Sequence, residues 1–235
     1  MTHSLVIPSR FCGPPGSGNG GYVCGRIAAH VSGPVTVTLR RPPPLATPMA
    51  VERDGDGSVR VYDGSALTAE ATAAPVPPVL GTPGPVSVAE ARAAAGGARY
   101  FQEPVFPGCF VCGMSRQPGD GLRIFPGPVP GRALWAAAWI PGPSVTDAGG
   151  KVRPEVVWAA LDCPGGIAAA EAAGLSQDTA ILLGRMTASL AALPAPGAGA
   201  WWSPGLAGMT AASCWPGRHC SGPAARCSPR PGRCG

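Results

Sequence analysis

Two helix-forming segments, one in each half of a 235-residue chain, constrain its fold more than any other feature. The first is Asn19-Gly20-Gly21-Tyr22-Val23-Cys24-Gly25. The second runs from Val152 to Gly166 and includes Arg153-Pro154-Glu155 and Leu161-Asp162-Cys163. Each opens a helix-like run and is followed by strand-like sequence. Only the first has glycine amides at its start, and only the second carries a carboxylate, Asp162, well inside the helix. That asymmetry points to two half-domains sharing one active site.

The first segment begins at Asn19, a good N-cap, and stops at Ser32-Gly33-Pro34. Val35–Arg40 then alternates strictly, which predicts a strand with Val35, Val37 and Leu39 on one face. Pro48–Arg53 and Val59–Tyr62 flank an Asp54-Gly55-Asp56-Gly57 turn, the pattern of a hairpin, and Ser65–Ala71 follows as a third strand. Helix followed by meander is an α+β unit. Residues 74–86 are proline-rich, and Ser87-Val88-Ala89-Glu90 has capping-box spacing for a short helix ending at Gly96-Gly97. The second half predicts strands at Leu122–Phe125 and Ala133–Ile140, a helix from Pro154 to about Ala173 with proline at a tolerated position, and a strand over Thr179–Leu190. This gives an N-terminal half over 1–85, a linker with a short helix over 86–105, a C-terminal half over 106–200, and an irregular tail over 201–235.

Composition narrows the function classes. Apolar residues make up 45% of the chain, enough for a core, while 35 Gly and 30 Pro imply many turns. The net charge of +5 misleads, because residues 201–235 hold Arg218, Arg226, Arg230 and Arg233 and no acid. The body is nearly neutral and lacks a basic patch interleaved with aromatics, so nucleic acid is not an expected partner. No signal-peptide pattern and no membrane-length apolar run occurs. A reducing cytoplasm is the expected location, with free thiols.

The tail changes character after Ala200: scattered Cys, Pro and Arg without periodicity. Back-translating Met209–Pro216 and shifting the frame by one base permits a charged, strand-like sequence with a turn. We therefore read residues from about 198–201 onward as an out-of-frame translation, which would leave the second sheet without its last strands and with an unpaired edge. Resequencing the gene across the Ala200 codon tests this; an intact present frame in independent isolates removes the idea.

The body resembles hotdog-fold acyl-CoA thioesterase-like proteins, particularly the two-hotdog form of actinobacteria. The residues that carry the resemblance are Gly18–Tyr22, Val35–Pro44, Cys109-Phe110-Val111-Cys112-Gly113, Pro118–Gly127 and Arg153–Gly166, covering residues 10–200. It implies a double hotdog, two antiparallel sheets each wrapping a long helix, and acyl-CoA or a related thioester as substrate. It also implies an active site between the halves: a helix-start amide polarises the thioester carbonyl, and an Asp or Glu about seven residues beyond the equivalent glycine pair of the other half acts as base or nucleophile. Asn19-Gly20-Gly21 matches the first element, but the position seven beyond Gly21 is Ala28. Asp162 lies seven beyond Glu155, where Pro154-Glu155 replaces the glycine pair. The halves are complementary, with one composite site and a degenerate twin.

The expected catalytic residues are thus Asp162, Gly20 and Gly21, with Asn19, Tyr22, Glu155 and Trp158 as substrate-binding candidates. Amides at a helix start suit an oxyanion, although Gly20 and Gly21 also suit close helix packing. Asn19 is equally an N-cap, and Glu155 an ordinary first-turn acid. Asp162, among apolar neighbours, should have a raised pKa unless it pairs with an arginine or an amide. Cys109-x-x-Cys112 reads as a structural turn; a metal there would have to recruit distant Cys12, Cys24 or Cys163. Cys163 as nucleophile lacks a nearby His, and with only His3 and His30 in the body neither a Ser-His-Asp triad nor an Asp/His hydratase pair is indicated. Gly13–Gly18 lacks the lysine of a phosphate loop. The expectation is hydrolysis with no cofactor and no metal, in a chain without nucleic-acid or membrane partners, a homodimer being an open assembly state. A non-catalytic binder of acyl-CoA or lipid-like ligands, and a defective frameshifted product, are the alternatives.

Overall fold

The computed structural model describes residues 3–75, 86–190, 193, 200–202 and 213–214. In chain order its elements are β1 (His3–Leu5), α1 (Gly20–Ala28), β2 (Val35–Leu39), β3 (Met49–Arg53), β4 (Val59–Asp63), β5 (Ala66–Ala73), α2 (Val88–Ala94), β6 (Gly127–Pro128), β7 (Trp135–Trp139), α3 (Pro154–Ala172), β8 (Ile181–Leu182), β9 (Arg185–Ala188), β10 (Ala200–Trp202) and β11 (Ser213–Cys214). All sheet pairings are antiparallel, which with the helices makes a mixed α/β architecture. Among the described residues no helix is long and apolar enough to cross a membrane.

The main sheet has six strands in the order β1-β3-β4-β5-β2-β9. The β3–β4 hairpin turns at Asp54–Gly57, where Gly57 takes a φ of 84° and Asp54 N–H donates to Ser58 O, so the turn chemistry read in the sequence is realised. In β2, Val35 and Val37 are buried against α1, as the alternation requires. Strand β9 belongs to the second half yet pairs with β2, Val35 opposite Ala188 and Thr36 opposite Thr187, with a 2.8 Å hydrogen bond between the two threonine hydroxyls. The halves are therefore stitched through one sheet.

A second, smaller core lies around α2. Its capping box is complete: Glu90 N–H donates to Ser87 Oγ and Ser87 N–H donates to Glu90 Oε2. Ala91 and Ala94 pack with Val86 on Val129, Leu134 and Ala136, so the helix expected within a linker covers the three-stranded sheet β10-β7-β6.

Three sequence expectations differ from the structure. Leu122–Phe125 is not a strand: Leu122 N–H and Ile124 N–H donate to Phe110 O and Val111 O, and Arg123 adopts a positive φ of 53°. Its apolar alternation thus buries Leu122 and Ile124 beside the Cys109–Cys112 turn instead of in a sheet. Thr179–Leu190 divides into β8 and β9, because Gly184 O between them accepts from Leu39 N–H and starts the pairing with β2. The described strands form one six-stranded sheet that includes β9, beside smaller sheets of three and two strands. Finally, the body is expected to end at 200 with an irregular tail from 201, but β10 pairs with β7, Ala200 opposite Trp139 and Trp202 opposite Ala137, so the 200/201 boundary falls inside a strand. The rest of the tail reading, residues 203–235 apart from Ser213–Cys214, lies outside the described residues.

Candidate active site

The site forms where α1 crosses α3. Both helices are rich in small residues, and the spacing Gly21-x-x-x-Gly25 puts two glycines on one face of α1. A methyl group on Gly21 would come within 2.6 Å of Asp162 Cβ and of Trp158 O, and one on Gly25 within 2.5 Å of Glu155 Cα. The backbones therefore touch, and the order of contacts, Gly21 to Asp162 and Gly25 to Glu155, shows that the helices run antiparallel.

This contact delivers Asp162 to the start of α1. The Gly21 N–H donates to Asp162 Oδ2 at 2.8 Å, a bond between residues 141 positions apart. The other amides of the first turn are accounted for in order. Tyr22 N–H donates to Asn19 Oδ1 at 2.9 Å, and Val23 N–H to Asn19 O at 3.0 Å. Gly20 N–H, at the first helical position, has no intrahelical acceptor, and Gly20 is partly exposed. Asp162 also keeps some exposed surface, and a methyl group on Gly20 would meet Leu183 Cβ at 2.7 Å and Asp162 Oδ2 at 3.3 Å, so Gly20, Asp162 and Leu183 are close neighbours. Burial raises the Asp162 pKa from 3.8 to about 7; the Gly21 N–H opposes that shift and the Cys109 sulfur adds to it.

The remaining candidates fall in different places. Asn19 is buried and acts as the N-cap, while its Nδ2 turns toward the sulfurs of Cys163 (3.6 Å) and Cys109 (3.8 Å). Tyr22 is in the core: its ring stacks on Phe11 at 3.9 Å and meets Phe110 edge-on. Trp158 is buried at the helix crossing against Gly25. Glu155 sits at the far end of that crossing, paired with Arg153 at 3.9 Å, and does not join Asp162.

The sequence reading left out two features. One is the role of Gly25, which the four-residue spacing from Gly21 could have revealed. The other is the nearness of Cys163, taken in the sequence as distant: its sulfur and those of Cys109 and Cys112 lie within 4.8 Å of one another, with 3.8 Å between Cys109 and Cys163. The thiols of Cys112 and Cys163 and the N–H groups of Cys112 and Val111 hydrogen-bond to the Cys109 sulfur and hold its pKa well below the usual value. Donating to it pushes the other two thiols up. Adjacency of Cys163 to Asp162 was the available signal.

No protein-family model and no curated protein matches the chain. Among solved structures, a candidate thioesterase from Novosphingobium aromaticivorans DSM 12444 is similar at 13% identity and a TM-score of 0.47, over 85% of this chain and 80% of that one. A likeness that distant carries no argument about the site.

Proposed function

We propose that the chain hydrolyses a thioester of the acyl-CoA class, as two hotdog-like halves sharing one composite site. The observation that carries this reading is the contact between Gly21 N and Asp162 Oδ2, which sets a carboxylate from one half on the helix start of the other. The thioester class comes from the sequence resemblance of the motifs on either side of that contact.

In this reading Gly21 holds and orients Asp162, while the Gly20 N–H and the positive end of α1 receive the oxyanion. Asp162 takes a proton from water as the water oxygen bonds to the thioester carbon. Collapse of the tetrahedral intermediate breaks the C–S bond, and the proton on Asp162 passes to the departing thiolate. The products are a carboxylic acid and a free thiol, and the carboxylate is regenerated.

The same bond favours a second reading, in which Asp162 merely caps α1 and the protein binds an acyl-CoA or lipid-like ligand without turnover. A panel of acyl-CoAs assayed for thiol release separates the two. The hydrolase reading expects release by the full chain and its loss in Asp162→Asn, which still accepts the Gly21 hydrogen bond and should remain folded. Saturable binding without release across the panel assigns the protein to the second reading.

A further inference from the structure

Three thiols are drawn together from two distant segments, and their arrangement is that of a ligand set. Cys109 and Cys112 sit on a tight turn closed by Gly113 N–H donating to Cys109 O at 2.9 Å. Only glycine fits at 113, since a methyl group there would collide with that same carbonyl oxygen. Cys163 arrives from the middle of α3. Two sulfurs bound to zinc at 2.3 Å across a tetrahedral angle lie about 3.8 Å apart, which is the separation of Cys109 and Cys163. That distance is far too long for a disulfide, and the three thiols are free.

Ordinary packing of small apolar thiols accounts for burial but not for Asn19. Its Oδ1 is fixed by the cap to Tyr22 N–H, so its amide must point Nδ2 at Cys163 and Cys109. A buried amide N–H facing sulfur is well satisfied by thiolate and poorly by thiol. The Tyr100 hydroxyl lies 3.9 Å from Cys112 Sγ, with either group able to donate. Bound together as thiolates, the three would need a countercharge. Arg116, close in sequence, goes instead to Cys12, Gly108 O and Asp120.

We propose that Cys109, Cys112 and Cys163 bind one zinc ion as thiolates, with Asn19 steadying two of the sulfurs and a small exogenous ligand completing the tetrahedron. The ion ties the turn at 109–112 to α3 and to the cap of α1, and so holds the Gly21–Asp162 crossing in place. The proposal stands independently of the hydrolase reading, because its readout is metal and not turnover.

The test uses the full chain, expressed with zinc supplementation and purified without chelator. Elemental analysis should return about one zinc per chain. Cobalt(II) in its place should give the visible bands of a tetrahedral site together with sulfur-to-cobalt charge transfer. Peptide mapping after alkylation should find Cys109, Cys112 and Cys163 protected by zinc and exposed once it is chelated, a measurement that needs no variant to fold. Each of Cys109→Ser, Cys112→Ser and Cys163→Ser should lose the ion. Cys24→Ser and the combined change of Cys214, Cys220, Cys227 and Cys234 to Ser should keep it. Asn19→Ala should weaken binding by about 10–100-fold. Metal-free protein with three alkylatable thiols, a disulfide among the three, or zinc that follows the tail cysteines would each overturn the proposal.

Discussion

The two helix starts of this protein solve the same electrostatic problem in opposite ways. Helix α3 begins Arg153-Pro154-Glu155: proline needs no acceptor, and Glu155 puts a carboxylate into its own first turn. Helix α1 begins Asn19-Gly20-Gly21 with no acid in its first turn, and takes its carboxylate, Asp162, from the other helix. The acid at one terminus is a neighbour in sequence; the other has a local cap, Asn19, but obtains its acid only through tertiary structure. A helix start that borrows its anion places backbone donors beside a foreign carboxylate, the pairing on which the proposed hydrolysis rests. The α3 start borrows no carboxylate, and the proposed site is accordingly placed at α1 alone.

The largest expected effect breaks this contrast at the borrowed carboxylate. In the hydrolase reading Asp162→Asn should lower kcat by about 10²–10⁴, with cooperative melting retained; turnover close to that of the unaltered chain would remove Asp162 from the chemistry.

Next come the glycines. Gly21→Ala should destabilise by about 1–3 kcal/mol or more, since the added methyl meets backbone and Cβ atoms of α3 that cannot swing away. The same change at Gly166 in α3 meets nothing nearer than 3.7 Å, and should instead stabilise by up to about 1 kcal/mol through helix propensity. Denaturant titrations of both variants give the sign directly, and equal signs would contradict the tight crossing.

Removing the cap by Asn19→Ala should cost about 1 kcal/mol of stability in urea unfolding. The smallest effect belongs to the self-sufficient end: Glu155→Gln should cost about 0.3–1 kcal/mol, diminishing with added salt. A cost larger than that of Asn19→Ala would reverse the ranking of the two termini.

Legibility in the sequence followed the range of the interactions. The meander β2–β5, the capping box at Ser87 and Glu90, and helix α3 opening at Pro154 were readable because turn residues, caps and alternation act within a few positions. The strand expected at Leu122–Phe125 was not realised, because its alternation answers to burial beside Phe110 and Val111, and alternation does not reveal where backbone hydrogen bonds go. Likewise nothing near Thr179–Leu190 announces that Gly184 O meets β2 and splits the strand. At the site, Asn19, Gly20, Gly21 and Asp162 stood out as chemistry-bearing residues; Tyr22 and Trp158 have the same look in a sequence, yet the structure buries both in the core.

Sequence alone determined that one helix would start with bare glycine amides, that another would carry an isolated acid, and that strands would follow each, because these properties reside in single residues and short periods. Only the tertiary structure decided that Gly21 and Gly25 let the helices touch, that Asp162 lands 2.8 Å from the Gly21 nitrogen, and that Cys163 joins Cys109 and Cys112. Those distances depend on how two apolar faces pack, and packing is set by the shapes of all the surrounding side chains at once.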